Sequence, residues 1–362
     1  MENVREYKCP SCGAPLTFDA GSQNLLCNSC GTSFDTETLI NLSEAENAQS
    51  VQSKFDWEEY EPRDYTEEET VNLSEYNCTS CGAQITGEDT LGATTCPYCG
   101  NSTIVKKQFE GNLRPDLLIP FKLDKKAAAE AFEQAAAKIP FLPKLFRSTR
   151  KVEELIGLYI PFWLFDCDCD ASVRYRAEIV TRWRDSNYEY TKTDYFRIFR
   201  DGSIGFSKIP VDGSQKADND YMEAIEPFDY KDAVNFNAAY LSGFLADKYD
   251  VSAEESEPRA NERVKNSTVS AFRETVRGYT LVTSESADVS FANGKKRYSL
   301  LPVWMLNIKY KDKNYHYAIN GQTGKVAGAY PVDKLKKWLY FAMVFGISYL
   351  IGFAVAKLLG LI

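Results

Sequence analysis

Histidine is almost absent from this 362-residue chain, in which His316 is the single example. Catalysis that relies on an imidazole as base or nucleophile therefore has little support. The motifs GxSxG and HExxH are also missing, and the GQTGK segment at 321–325 departs from a phosphate-binding loop at Ile319 and Val326. We predict a protein that is not an enzyme, while a hydrolase or transferase with an unrecognised site stays open as an alternative.

A hydrophobic leader is lacking at the N-terminus, and eight of the ten cysteines fall into CxxC pairs. This usage favours a reducing compartment over a disulfide-bonded secreted protein. The net charge of −9 is concentrated in residues 35–75, which hold 13 acidic residues against Lys54 and Arg63. Such a segment is typical of an extended, solvated linker. An acidic strap that docks on a basic surface is the alternative.

The paired cysteines form an internal repeat, because residues 9–30 and 78–99 both read CxxC, fourteen residues, CxxC. The two sets are Cys9, Cys12, Cys27 and Cys30, and Cys78, Cys81, Cys96 and Cys99. Four thiolates complete a tetrahedral zinc site that has no vacant position. We therefore predict two zinc ribbons, each with one structural Zn²⁺ ion. Redox-active CxxC pairs are the rival interpretation, but they usually begin a helix in a βαβ unit, which this pattern does not indicate.

Zinc ribbons often bind nucleic acid, and the charge of these two argues against it. Neither ribbon has a basic face, and zinc with four thiolates adds about two negative charges to each. A ribbon that binds proteins or only stabilises the fold is therefore favoured. A nucleic-acid-binding zinc-ribbon protein remains the alternative function.

The central part of the chain predicts a β-rich body with covering helices. Asp124 caps the helical segment KKAAAEAFEQAAAKI, which ends at Pro140. Residues 236–252 also look helical, and another helix is predicted from about Ser252 or Ser256 to Arg277.

A weaker repeat lies in the strands of this body. Residues 160–163 and 301–304 read IPFW and LPVW, and each is followed by strands and a glycine turn, Asp-Gly at 201–202 and Asn-Gly at 320–321. These pairs are typical of hairpin turns. We interpret the pattern as a duplicated β-unit.

Alternation from Val173 to Ile179 places apolar residues on one face of a strand and Arg174 and Arg176 on the other. The arginine face is either an ordinary solvated surface or a surface that receives the acidic segment of this chain or anionic lipid head groups. Cys167 and Cys169 alternate with carboxylates on the same strand, and we expect them to be buried as small apolar residues.

The last long hydrophobic run, Trp338–Ala356, contains no charge. A helix of this length spans about 28 Å, close to the ~30 Å core of a bilayer. Lysines precede the run, so the preceding residues are predicted to stay in the cytosol. We predict a single-pass cell-membrane protein with a cytoplasmic N-terminal body; a buried C-terminal helix is the alternative. Ser348, Gly352 and Ala356 have a spacing that allows self-association.

These patterns predict an α+β fold with two zinc ribbons, a β-rich body that contains the duplicated β-unit and its covering helices, and one C-terminal transmembrane helix. The predicted parts are zinc ribbon 1 at 1–34, an acidic linker at 35–75, zinc ribbon 2 at 76–105, the body at 106–332 and the anchor at 333–362.

Several segments resemble the bacterial zinc-ribbon membrane proteins of the YdjG type, often labelled TFIIB-type zinc ribbon or PriA-like. They are CPSCGAPL, CPYCG, IPFWLFD, EAIEPFDY, AYLSGFLADKYDVS, LLPVWMLN and NGQTGK. The resemblance covers nearly the whole chain, matches the eight cysteines and carries over no catalytic residue. It implies a membrane platform that recruits phage-shock-protein-A-like and SPFH-type partners during envelope stress. The predicted function is therefore a tail-anchored, cytoplasm-facing scaffold for protein partners.

Overall fold

The computed structural model describes residues 16–19, 21–22, 24–29, 32–35, 54–71, 73–88, 95–102, 104–108, 113–147, 154–311 and 313–358. The strands are β1 Thr17–Asp19, β2 Asn24–Leu26, β3 Ser33–Asp35, β4 Phe55–Trp57, β5 Leu73–Cys78, β6 Gln84–Glu88, β7 Ile104–Gln108, β8 Leu117–Leu118, β9 Ile156–Arg184, β10 Glu189–Asp212, β11 Val234–Asn235, β12 Leu245–Asp247, β13 Leu281–Tyr310, β14 Lys313–Asn320 and β15 Val326–Gly328. The α-helices are α1 Glu67–Thr70, α2 Lys125–Ala137, α3 Asn219–Ala224, α4 Ala253–Glu274 and α5 Lys334–Leu358.

The chain divides into two compact units. The first comprises the described residues within Met1–Glu58, Asp166–Ser207 and Arg259–Lys295. The second comprises those within Glu59–Phe165, Lys208–Pro258 and Lys296–Ile362.

The second unit is built on one sheet with the strand order β11-β8-β13-β9-β12-β6-β5-β7, to which β14 and β15 are added beside β13. The short strand β12 is the junction, because it pairs in parallel with β9 and antiparallel with β6. Strand β5 then pairs antiparallel with both β6 and β7. The strands that carry the second cysteine repeat therefore extend the sheet of the body.

The two similar segments IPFW and LPVW lie on the neighbouring strands β9 and β13, in the core of the second unit. Trp163 and Trp304 are buried, and each indole N–H has a partner: Trp163 donates to the carbonyl of Val251 at 2.9 Å and Trp304 to that of Leu123 at 3.0 Å. Both strands are buried on both faces here, which accounts for their continuous apolar runs.

Helix α2 covers part of this sheet, and its prediction is confirmed. The Asp124 carboxylate accepts a hydrogen bond from the Ala127 N–H at 2.7 Å and caps the helix. Phe132 packs against Tyr317 with ring centroids 4.9 Å apart. The alanines on this helix let it lie close to the strands.

In the first unit, strands β1, β2 and β3 form a small antiparallel sheet, and the outer parts of β9 and β10 form a hairpin. The predicted alternation is confirmed, since Val173, Tyr175 and Ala177 are buried and Arg176 is exposed. Helix α4 packs on the buried face, where the Tyr175 hydroxyl donates to the carbonyl of Val269 at 2.6 Å.

The described part of the acidic segment differs from a solvated linker. In the first unit, β4 pairs with β13. In the second unit, Arg114 donates two hydrogen bonds of 2.9 Å to the Glu69 carboxylate, and Thr66 and Glu69 form a capping box at the start of α1. Packing through aromatic and paired residues holds this stretch while most of its acidic side chains stay exposed.

The prediction of a C-terminal transmembrane helix was wrong, and with it the predicted single-pass location in the cell membrane. No helix among the described residues has the length and apolar character needed to cross a membrane. Helix α5 begins with lysines at Lys334, Lys336 and Lys337. The glycine, serine and tyrosine residues within this helix lower its mean hydropathy.

Of the two predicted hairpin turns, one is found elsewhere in the chain and the other is confirmed. Asp201 and Gly202 lie inside β10, and the chain instead reverses at residues 185–188, where the Asp185 carboxylate accepts hydrogen bonds from the N–H groups of Asn187 and Tyr188 at 2.9 and 2.8 Å. The Asn-Gly turn at 320–321 is confirmed between β14 and β15.

The predicted helix at 236–252 is one 3₁₀ turn, Ala238–Leu241, followed by β12. Gly243, with φ of 81°, follows the turn in a backbone conformation that an α-helix cannot continue. The helix predicted from about Ser252 or Ser256 is confirmed as α4, which begins at Ala253, next to the first of these two positions.

Candidate metal centre

The second cysteine repeat folds into two matching turns. Cys78 ends β5 and is followed by a turn in which the Gly82 N–H donates to the Cys78 carbonyl at 2.9 Å; the Gly100 N–H donates to the Cys96 carbonyl at 3.0 Å in the same way. Gly82 and Gly100 have φ of 76° and 72°, a region that favours glycine. The CxxCG pattern thus specifies a tight turn that directs both thiols of each pair toward one point.

The four thiols form a compact cluster. All four Sγ atoms of Cys78, Cys81, Cys96 and Cys99 lie within 4.8 Å of one another. The Cys78–Cys99 and Cys81–Cys96 Sγ pairs are each 3.7 Å apart. A tetrahedral zinc ion with bonds of about 2.3 Å requires sulfur atoms about 3.8 Å apart. The cluster can therefore hold one metal ion, and its dimensions fit zinc.

Backbone hydrogen bonds and burial shift the pKa values of these thiols in different directions. Burial alone would raise the pKa of Cys78, but the N–H groups of Cys81 and Ser80 donate to its sulfur, and the net effect lowers that pKa to about 7. Burial raises the pKa of Cys81 and of Cys96. A bound dication stabilises the thiolate form of all four ligands, so metal binding would release protons.

The first cysteine repeat is only partly described. Cys9, Cys12 and Cys30 lie outside the described residues, and Cys27 is buried beside β2. Of the two predicted ions, the described part of the chain supports one site, at the second repeat.

The turn between Cys96 and Cys99 is joined to the body by its own residues. Tyr98 is buried, and its hydroxyl donates to the carboxylate of Asp247 on β12. Ser214 donates to the same carboxylate oxygen at 2.7 Å. Sequence reasoning missed this contact: the aromatic residue inside CPYC was a signal for Tyr98, but nothing in the pattern pointed to Asp247.

A second link runs through the backbone of the same turn. The Asn307 side-chain amide donates to the Pro97 carbonyl at 2.8 Å, and its Oδ1 lies 2.5 Å from Nδ1 of His316. Burial lowers the pKa of His316. The only histidine of the chain thus supports the metal-binding turn through Asn307 and is not a ligand of the cluster.

Comparison with known proteins places the chain. YdjG of Bacillus subtilis (strain 168), described as an uncharacterized protein, is 34% identical over 357 residues, which cover 99% of both chains. The chain belongs to the YdjG family. The predicted resemblance is therefore confirmed at the level of the family. No family model matches the chain, and no solved structure matches it significantly.

The two remaining cysteines of this YdjG-family chain behave as predicted. Cys167 and Cys169 are buried on one face of β9, and the Cys169 thiol donates to the carbonyl of Ile204 at 3.2 Å. On the opposite face, the Asp170 carboxylate accepts from Ser203 at 2.6 Å. The thiols and carboxylates point apart, so they do not form a joint metal site.

An open cleft of about 400 Å³ lies between α2 and the turn at 323–326, with Glu130, Lys138 and Lys325 in its lining. The buried carboxylate with a raised pKa, that of Asp247, is not among the lining residues.

Proposed function

We propose that this YdjG-family protein is a zinc-dependent scaffold that binds protein partners, and that its zinc is structural. In this proposal both cysteine repeats hold one Zn²⁺ ion each. The proposal depends chiefly on one observation, the closed arrangement of four sulfur ligands around a single point. Four thiolates occupy all four coordination positions of a tetrahedral zinc ion, so none is open for a substrate or an activated water.

The connection of the metal-binding turn to the body supports a structural role for the ion. Cys96 is buried in the same core as Leu245 of β12 and Leu158 of β9. Removing the ion would leave four thiols packed at this point, two of them buried, with no bond between them. Because β6 and Tyr98 both contact β12, we expect the loss of metal to loosen the adjacent body as well.

Exposed aromatic side chains support partner binding. In the first unit Trp183, Tyr188 and Tyr195 are each at least half exposed. In the second unit Trp338 and Phe345 of α5 are almost three-quarters exposed. Tryptophan and tyrosine are the residues that most often dominate protein–protein interfaces, and large apolar patches are uncommon on proteins that act alone.

The phage-shock-protein-A-like and SPFH-type proteins suggested by the family resemblance are the first partners to test. The tagged full-length protein would be purified from its host and the co-purified proteins quantified by mass spectrometry. We expect Cys96→Ser to reduce specific partners about tenfold or more. Cys167→Ser, which changes a buried cysteine outside the cluster, should retain them.

Equal recovery of partners by the wild type and Cys96→Ser would contradict a zinc-dependent scaffold. Recovery that disappears after nuclease treatment would instead support the nucleic-acid-binding alternative.

A further inference from the structure

The β9–β10 hairpin of the first unit carries a face on which arginines and aromatic rings alternate. We call it the Arg–aromatic face, and its residues are Arg174, Arg176, Arg182, Arg184, Tyr195 and Phe199. The guanidinium carbon of Arg176 lies 4.7 Å from the ring centre of Tyr195, and that of Arg174 lies 5.4 Å from the ring centre of Phe199. These contacts place two guanidinium groups over aromatic rings.

Positive charge accumulates along this hairpin although the chain as a whole is acidic. Residues 174–200 contain seven basic and four acidic residues, whereas the full chain has a net charge of −9. Arg176 pairs with Glu178 at 3.6 Å, and Arg197 pairs with Glu285 at 3.8 Å. The hairpin thus already pairs arginines with carboxylates.

Arg182 and Arg184 are different. Both are exposed, both lie on the same side of β9, and within the described residues neither side chain has a hydrogen bond or an ion pair. Their separation along the strand is about 7 Å. Two unpaired guanidinium forks at this spacing match carboxylates on alternate residues of an extended chain.

The hairpin tip next to these arginines is ordered. Trp183 and Tyr190 stack with ring centroids 5.4 Å apart and an angle of 10° between planes, although they are 50% and 38% exposed. The Asp185 carboxylate accepts from the Tyr190 hydroxyl at 2.9 Å and also closes the turn. By strand alternation this aromatic pair lies on the side of β9 opposite to Arg182 and Arg184, so it orders the hairpin tip from which the two arginines project.

We propose that the Arg–aromatic face binds an acidic, extended segment of a partner protein, with Arg182 and Arg184 pairing with its carboxylates. This inference rests on the proposed scaffold function and names the chemistry of its partner. Within the first unit, the described part of the chain's own acidic segment is β4, which pairs with β13.

Nucleic acid fits this surface less well. Binding to nucleic acid gains most of its affinity from many Lys or Arg contacts to phosphates, about six to ten in strongly salt-dependent cases. Here Arg174 and Arg176 are held on rings, Glu178 lies on the same face, and two arginines remain free. Two cations suit a pair of carboxylates better than a polyanion.

The test uses the full-length, zinc-loaded protein and a fluorescent peptide of about twelve alternating glutamate and leucine residues, long enough to span the face at about 3.3 Å per residue. Binding is followed by fluorescence anisotropy at about 50 mM salt. We expect Arg182→Glu with Arg184→Glu to weaken binding about tenfold or more. Lys265→Glu with Lys295→Glu makes the same charge change at exposed positions in the same unit and should alter binding less than about twofold.

Three outcomes would overturn the inference: no peptide binding by the wild type, an equal loss in the charge-matched control, or displacement of the peptide by an equally long oligothymidylate. The same variants tested in partner purification separate this inference from the function. Partners lost with Cys96→Ser but kept with the double arginine variant would refute the Arg–aromatic face and leave the scaffold function intact.

Discussion

Replacing Asp247 by asparagine should remove a large part of the pH dependence of stability in the second unit. Asp247 is 5% exposed, and its carboxylate accepts hydrogen bonds from Tyr98, Ser214 and the Lys248 N–H. Burial nevertheless dominates and raises the pKa of this carboxyl from 3.8 to about 7. At neutral pH the folded protein therefore holds a carboxyl group that is only partly ionised.

The direction in which stability changes with pH follows from the direction of the pKa shift. Because the folded state binds the proton more tightly than the unfolded state, the stabilisation is fully present below about pH 4 and is lost as pH rises through 7. One pKa unit corresponds to about 1.4 kcal/mol, so the whole effect is about 4 kcal/mol. About 2 kcal/mol of it falls between pH 5 and pH 7.

The assay is guanidinium unfolding of the zinc-loaded wild type and Asp247→Asn at pH 5, 6 and 7, followed by tryptophan fluorescence. Asparagine stays neutral, so the free energy of unfolding of the wild type should fall by about 2 kcal/mol more than that of the variant over this range. Proton release from the cysteine ligands affects both proteins and cancels in the difference. Parallel pH profiles for the two proteins would refute the argument that Asp247 is protonated in the fold.

Three further outcomes are expected. Wild-type protein should contain two zinc ions per chain and Cys96→Ser one, measured by elemental mass spectrometry; one ion in the wild type would contradict the first site. Glu254→Gln with Glu257→Gln leaves the buried Lys296 ammonium unpaired and should lower the free energy of unfolding by about 3 kcal/mol. Lys296→Met removes the buried charge and should lower it by about 1 kcal/mol or less. Equal losses for the two variants in urea titrations would contradict the view that the unpaired charge is the main cost. Trp183→Ala should change the thermal midpoint very little, because the ring is half exposed, and a large drop would place Trp183 in the core.

The features that sequence analysis predicted well are those set by neighbouring residues. The spacing of Cys96 and Cys99, with Gly100 directly after, specifies a local turn whatever the rest of the chain does. Asp124 and the alanine-rich segment after it specify α2 in the same way, through a cap and helix propensity.

The features that were missed depend on distant contacts. Leu245–Asp247 lies in a segment with a helical pattern, yet it forms β12 because β6 and β9 are available on either side. Tyr98 finds its acceptor Asp247 at a distance of 149 residues along the chain. The transmembrane prediction considered only the length of the C-terminal hydrophobic run, whereas the helix that contains this run begins with lysines.

The pairing of β6 with β12 has a consequence for biosynthesis. Residues 84–88 leave the ribosome long before residues 245–247, so β6 has to wait with an unsatisfied edge until most of the polypeptide has been made. Exposed strand edges invite intermolecular association. Early capture of zinc by the cysteines around β6 would keep this edge in a defined shape, and growth in zinc-depleted medium should therefore shift newly made protein toward inclusion bodies.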